Sequence, residues 1–213
     1  MNTTSQQEQQ EQQTVHQGEQ QAQLSGLAAD ELGNIAPKSL DWSDADLIAL
    51  DLETTGLKPE ECEIIDIGMA KVIDGKIVDE YSQLIYPGVN LAPVIVQLTH
   101  ISDSDLVNQP TLGEVFPTVR KLLGNRPLLG HNVSFDQSFL QAAAERFLLP
   151  SVTNKLIDTM LISRDKFPQE RRHRLQDVMI RLGITRVEKH RALSDAKDTL
   201  DVYNLLEAMP QAR

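Results

Sequence analysis

The chain has 213 residues, with 20 Lys and Arg against 31 Asp and Glu and a formal net charge of −11. That length suits one domain with an appendage, and the acidic balance argues against a protein held to nucleic acid by bulk electrostatics, where a basic stripe is the expected footprint. A lone cysteine, Cys62, leaves no intramolecular disulfide and no cysteine-built zinc site, and no apolar stretch approaches the ~18 residues of a membrane span.

The N-terminus lacks the basic-then-apolar pattern of a signal peptide, so a cytoplasmic setting is expected. Residues 1–40 differ in composition from the rest, and Met1 to Gln23 is dominated by Gln and Glu. Such a segment cannot bury enough apolar surface to offset its ordering entropy. Residues 1–40 are therefore expected to be a disordered Gln/Glu-rich tail, either a plain solvated appendage or a tether for another protein, with the folded domain at 41–213.

From Asp41 onward the pattern is globular. The apolar run 47–50 reads as a buried strand. Runs 63–73 and 76–86 are joined by Asp74-Gly75, a strong hairpin signal because both residues can take positive φ. Three early strands with short links predict an antiparallel start to the sheet. Thr111-x-x-Glu114 reads as a capping box ahead of Val115, Phe116, Val119, Leu122 and Leu123 at helical spacing. Pro117 should kink this helix or move its start later. Residues 127–130 form a short apolar strand, 134–147 a helix closed by Pro150, 155–159 a strand and 175–182 a helix. A last helix at 192–209 carries the stripe Leu193, Ala196, Leu200, Tyr203 and Leu206. The order βββ-α-β-α-β-α-α predicts an α/β fold, a mixed sheet flanked by helices.

The densest chemistry lies in Asp51-Leu52-Glu53-Thr54-Thr55-Gly56. In an extended segment residues i and i+2 share a face, so Asp51 and Glu53 converge at the end of the first strand. Like charges that close repel unless a cation lies between them or one takes up a proton. Oxygen-only ligands suit Mg²⁺ or Mn²⁺. Two further clusters are His131-Asn132-Val133-Ser134-Phe135-Asp136, where a strand hands over to a helix, and His190-Arg191-Ala192-Leu193-Ser194-Asp195, at the start of the last helix. Singly, Asp136 and Asp195 are ordinary acids at helix N-termini, worth under ~1 kcal/mol against the macrodipole. Together, Asp51, Glu53, Asp136 and Asp195 come from three segments, each at a strand end or helix start, where open α/β sheets assemble their sites. His190 adds a group that titrates near neutral pH. That inventory fits two-metal hydrolysis of a phosphodiester with a base to take the proton of the attacking water.

At these three clusters the sequence resembles the histidine-bearing branch of the DEDD superfamily of 3′-5′ exonucleases, and most of all the proofreading exonucleases of bacterial replicative polymerases. The likeness extends through Glu63-Ile64-Ile65-Asp66-Ile67-Gly68, Leu98-Thr99-His100-Ile101-Ser102, Asp158-Thr159 and His173-Arg174-Leu175, over about residues 45–208. The resemblance implies a ribonuclease H-like sheet and two Mg²⁺ or Mn²⁺ ions held by Asp51, Glu53, Asp136 and Asp195, with His190 as general base. It implies release of mononucleotides from 3′ ends of single-stranded or frayed DNA. RNA is the alternative substrate, and a non-catalytic module that binds nucleic acid or a polymerase is the rival from another class. Thr54, Thr55 and Gly56 would meet the 3′-terminal nucleotide, partly through backbone N–H groups. Phe135, Leu98 and Ile101 would pack on or wedge the terminal bases, and His131 and Asn132 would lie at the substrate's edge.

The family's Leu-Thr-Gly-Ile phrase departs here at His100, so backbone approach to the terminal base should differ. Asp66, Asp198 and Asp201 are expected outside the ligand set, and His100 and His173 are expected to be surface or packing residues. Arg164, Lys166, Arg171, Arg172, Arg174, Arg186, Lys189 and Arg191 form a basic section, either a solvated surface or a phosphate track leading a single strand to the metals. Little sequence follows Met209, which points to an enzyme that stands alone or is recruited to a polymerase or other protein through the Gln-rich tail.

Overall fold

The computed structural model describes residues 32–210. The disorder expected for residues 1–31 lies outside the described residues. Residues 32–40, expected to end the tail, are part of the folded body. Ile35 and Ser82 exchange backbone hydrogen bonds of 2.8 and 3.0 Å. The N–H groups of Lys38 and Ser39 donate to the two carboxylate oxygens of Asp79. Among the described residues, no helix is long and apolar enough to cross a membrane.

Five strands form one sheet: β1 (Leu47–Thr54), β2 (Ile64–Ile73), β3 (Lys76–Leu84), β4 (Leu128–Gly130) and β5 (Leu156–Asp158). Their spatial order is β3-β2-β1-β4-β5. The first three are antiparallel, with Asp74-Gly75 turning between β2 and β3 at φ of 51° and 69°. β4 and β5 run parallel to β1. This is the expected mixed sheet with an antiparallel start, in the ribonuclease H-like arrangement. The helices are α1 (Pro93–Thr99), α2 (Asp103–Leu106), α3 (Leu112–Leu123), α4 (Ser134–Arg146), α5 (Thr159–Lys166), α6 (Leu175–Arg181) and α7 (Ala192–Ala208).

α1, α2 and α5 add to the expected order. They hold 7, 4 and 8 residues, too few to show an apolar stripe of helical period. Pro117 does not delay α3, because the Thr111–Glu114 capping box fixes the start at Leu112. β1 also outruns its apolar stretch and carries Asp51 and Glu53 within the strand.

β1 sits mid-sheet with helices on both faces. Ile48, Leu50 and Leu52 join a core with Phe116, Val119, Phe139 and Leu140 from α3 and α4. Leu47 and Ala49 face the other way, packing with Ala70, Leu129 and the stripe Leu193, Ala196 and Leu200 of α7. Strand alternation puts Asp51 and Glu53 on this second face. On β2, Gly68 lies opposite Asp51 and Asp66 opposite Glu53. A Cβ on Gly68 would fall 2.0 Å from the Leu193 nitrogen and 2.2 Å from the Ala192 carbonyl carbon. Only glycine lets the first turn of α7 lie this close to the sheet. Asp66, fully buried beside it, accepts hydrogen bonds from Arg191 Nε at 2.9 Å and from the Ala192 N–H at 3.2 Å. It thereby pins the start of α7.

Gly68→Ala should lower unfolding free energy in urea by about 2–3 kcal/mol, since the added methyl meets backbone rather than a yielding side chain. Gly88→Ala, at φ 73° with nothing within 4 Å, should cost less, about 1–2 kcal/mol, the left-handed backbone penalty alone. Equal losses in the two variants would contradict the close-approach role of Gly68.

Candidate active site

β1 pairs with β4 only at Ile48–Leu128 and Ala49–Leu129, so the outer half of β1 has no strand neighbour on that side. Asp136, in the first turn of α4, fills the gap. Its Oδ1 accepts a hydrogen bond from the Leu52 N–H at 3.0 Å, and the side chain is only 3% exposed. The chain turns sharply from β4 into α4. A Cβ on Gly130 would lie 2.7 Å from Val133, and Asn132 takes a left-handed φ of 67°. The Asn132 N–H donates to Asp158 Oδ1, which also caps α5 by accepting from the Met160 N–H.

Above this gap lies the start of α7. Glu53, His190 and Asp195 offer ligand atoms that all lie within 4.8 Å of one another. Asp195 accepts from the Lys189 N–H at 3.3 Å. His190 adopts φ 51°, which turns the chain back toward the cleft just ahead of the helix. Its Nδ1 stands 3.7 Å from a carboxylate oxygen of Glu188. Glu188 is in turn clasped to Gln176 at the N-terminal turn of α6. The Glu188 N–H donates to Gln176 Oε1 at 2.7 Å, and the Gln176 N–H donates to Glu188 Oε2 at 3.2 Å.

The electrostatics are those of carboxylates crowded without a counter-charge. Desolvation, then the charges of Asp136, Glu53, Asp195 and Glu188, push Asp51 well above the usual carboxylate range. Burial and the neighbouring acids, Asp195 first among them, raise Glu53 to about 8. Burial raises Asp136 to about 8, against the lowering effect of its backbone hydrogen bonds. Burial and Glu188 raise Asp195 to about 7. A divalent cation relieves such a cluster directly, and hard oxygen donors fit Mg²⁺ or Mn²⁺.

The other expected site residues divide. Thr54 donates its hydroxyl to the Gly56 carbonyl at 2.6 Å, and Thr55 Oγ1 accepts from the Glu63 N–H at 2.9 Å. A Cβ on Gly56 would strike Cys62 Sγ at 2.7 Å. The 54–56 turn is thus braced from within. Leu98 is 47% exposed near the end of α1. Ile101, expected at the terminal base, is instead 2% exposed in a core with Ile65, Leu84, Leu91 and Leu106, so it has no surface to offer a base. His100 is the left-handed C-cap of α1, at φ 57°, with its N–H donating to Val96 O. A left-handed C-cap is a position that favours glycine, and here histidine fills it. Phe135 is half-buried against Phe139, with ring centroids 5.0 Å apart, and Asn132 is exposed.

His131, expected at the substrate's edge, has both ring nitrogens occupied within the protein. Nε2–H donates to the His173 carbonyl at 2.7 Å, which leaves Nδ1 to accept from the Thr159 hydroxyl at 2.8 Å. Burial lowers its pKa, in keeping with a neutral ring that positions its neighbours. Asp198 and Asp201 are both held by Arg186, outside the cluster. Asp66 lies outside the cluster, as expected, but its pinning of α7 was not foreseen, nor were the roles of Asp158 and Glu188. Glu188 stands two residues before His190, but only the turn at His190 brings the two together.

A family model described as Exonuclease (RNase_T) matches residues 48–203. The DNA polymerase III PolC-type of Staphylococcus haemolyticus (strain JCSC1435) is 31% identical over 182 residues, covering 84% of this chain and 13% of that protein. The counterpart from Staphylococcus saprophyticus is 33% identical over the same length, so the chain spans only 13% of these curated relatives. Among solved structures, Exonuclease X in complex with 5′-overhanging duplex DNA is 26% identical with a TM-score of 0.57, covering 76% of this chain and 91% of that one. Escherichia coli Exonuclease I in complex with a dA16 oligonucleotide is 16% identical with a TM-score of 0.67, covering 76% and 41%, and shows the shared fold. The strand-end cluster of carboxylates therefore sits in a chain that belongs to the exonuclease family.

Proposed function

We propose that this exonuclease is divalent-metal-dependent and removes nucleoside 5′-monophosphates from single-stranded or frayed 3′ ends of DNA. The observation that carries the reading is the convergence of Asp51, Glu53, Asp136 and Asp195 beside His190, with their carboxyls held far above ordinary pKa values. The likeness to PolC-type polymerases and to Exonuclease X favours DNA.

The four carboxylates would hold two Mg²⁺ or Mn²⁺ ions. Once bound, those ions supply Lewis-acid stabilisation of the charge that develops on the phosphate oxygens. The protein does the rest. The backbone of the 54–56 turn receives the 3′-terminal nucleotide, and exposed Leu98 and half-buried Phe135 flank the terminal bases. Stacking of this kind tolerates any base. His190 takes the proton of the attacking water, and Glu188 steadies the ring from its Nδ1 side. The water oxygen bonds to phosphorus, the bond to the 3′ oxygen of the preceding nucleotide breaks, and a monophosphate and a shortened strand leave. The Gln-rich tail is proposed as a tether to a polymerase or other protein, and the setting as cytoplasmic.

Asp51→Asn or Asp195→Asn should reduce Mn²⁺-dependent release of mononucleotides from a labelled oligonucleotide by roughly 10³-fold or more, the loss of several kcal/mol of charge stabilisation. The same variants should melt no lower than wild type in EDTA, because each removes one of several repelling acids. Wild-type rates in either variant would refute the site. His190→Gln should lose about 10²–10⁴ in rate yet keep the Mn²⁺-induced rise in melting temperature. A vanished rise would make His190 a ligand rather than a base.

The raised carboxyl pKa values set a pH dependence. Below the unfolded-chain carboxyl pKa of ~4, folded and unfolded forms are both protonated and the contribution to stability is complete. Above it the folded protein keeps protons that the unfolded chain has lost, so stability declines as pH rises toward the folded values of about 7 for Asp195 and about 8 for Glu53 and Asp136. In EDTA the melting temperature should fall between pH 5 and pH 8.5. Added Mn²⁺ should raise it more at pH 8 than at pH 6, because metal must displace these protons. A melting temperature that climbs through this range in EDTA would show that the cluster is already ionised.

A further inference from the structure

Between α5 and α6 a loop edges an open pocket of about 520 Å³, lined by Met160, Arg164, Arg171, Arg172, His173 and Arg174. The inner side of this loop is fully engaged. The His173 carbonyl accepts from His131, its Nε2–H donates to the Glu170 carbonyl at 3.1 Å, and its Nδ1 accepts from the Ser163 hydroxyl at 2.9 Å. From α6, Arg181 donates to the Arg172 carbonyl at 3.0 Å and to the Glu170 carboxylate at 3.3 Å. The Arg181 guanidinium also lies over the Phe167 ring, 5.1 Å from its centroid. The backbone that carries Arg171 and Arg172 is therefore braced from two sides.

The outer side is different. The structure sorts the basic section into residues with partners and residues without. Arg174 is paired with Asp177, Arg186 with Asp198 and Asp201, and Arg191 with Asp66, and Lys166 donates to the carbonyls of Met209 and Pro210. Arg164, Arg171 and Arg172 are exposed at the pocket and make no side-chain hydrogen bond or ion pair among the described residues; exposed Lys189 makes none either, but it does not line the pocket. Arg172 feels the Asp177 carboxylate, but Arg174 already holds that group, and the pocket lining itself offers the three cations no carboxylate of their own. The His131–His173 bond ties this pocket to the turn between β4 and α4, which is the turn that delivers Asp136 to the cleft.

We propose that Arg164, Arg171 and Arg172 form a subsite for a backbone phosphate of the substrate strand, on the 5′ side of the scissile bond. The inference rests on the exonuclease reading given above. Guanidinium forks match phosphate oxygens in geometry and charge. A contact of this kind sets register and reads no bases, which suits an enzyme that must accept every 3′ end. A substrate with a single phosphate at the metals is too short to reach it.

The test compares the full chain with Arg164→Gln/Arg171→Gln/Arg172→Gln on two substrates in Mn²⁺: a labelled single-stranded 20-mer and the p-nitrophenyl ester of thymidine 5′-monophosphate. For the 20-mer, the variant should show KM raised roughly tenfold, an unchanged kcat, and a slope of log KM against log salt lower by about 0.7, the loss of one single-strand phosphate contact. Its hydrolysis of the ester should match wild type. Lys76→Gln/Lys121→Gln/Lys155→Gln makes the same charge change at the opposite end of the sheet and should leave both substrates unaffected. An unchanged KM and slope in the arginine variant, or equal changes in the two triple variants, overturns the subsite. A wild-type protein inert on both substrates overturns the exonuclease reading and this inference with it.

Discussion

The structure depends on one close approach, the first turn of α7 against β2 at Gly68. With no Cβ in the way, Leu193 rests on the sheet opposite Asp51, and Asp195 is lowered toward Asp51 and Glu53. A helix normally stands off a sheet by the length of its side chains. Here that gap is removed for one turn only, at the turn carrying the acid and preceded by the histidine. Asp66 makes the arrangement rigid. Its buried carboxylate takes the N–H of Ala192 and the guanidinium of half-buried Arg191, so the helix start can neither slide nor lift without leaving a buried charge unpaired.

The second constraint is electrostatic and opposes the first. Packing brings together acids that would separate in water. The acidic cluster is therefore a region of the fold that lowers stability, tolerated because the surrounding core of β1, α4 and α7 determines its position. Functional sites commonly store free energy in this way. Asp136 shows how the two demands are reconciled. Its hydrogen bond to the Leu52 N–H serves an edge of β1 that has lost its strand partner, so one side chain completes the backbone pairing and contributes to the acidic cluster.

Much of this was legible in the residues. The antiparallel start, the Asp74-Gly75 hairpin and the amphipathic α7 follow from short-range signals that sterics and periodicity encode strongly. The meeting of Asp51, Glu53, Asp136 and Asp195 followed from strand alternation and from the placement of acids at strand ends and helix starts. What stayed hidden was set by contacts distant in sequence. Ile101 is apolar in a phrase that resembles a base-wedging segment, and nothing local distinguishes a wedge from a core residue. The three-dimensional packing of Ile65, Leu84 and Leu106 decides it. The resemblance set His131 beside the substrate rather than as the base, but its partners, the Thr159 hydroxyl and the His173 carbonyl, lie 28 and 42 residues away and could not be read from the sequence. The eight basic residues look alike in sequence, and ion pairs and backbone contacts, most of them between residues distant in sequence, divide them.

The segment 32–40 has a consequence for the edge of the sheet. β3 is an edge strand, and an edge strand presents unpaired backbone groups to which another chain can add. Here Ile35 pairs with Ser82, Asn34 accepts from the Leu84 N–H, and Asp79 turns its carboxylate to Lys38, Ser39 and the Trp42 indole. The opposite edge, β5, is only three residues long. Among the described residues, one margin of the sheet is thus partly covered around Ser82 and the other is short. Residues 32–40 serve the fold by occupying backbone and side-chain groups along part of its outer strand.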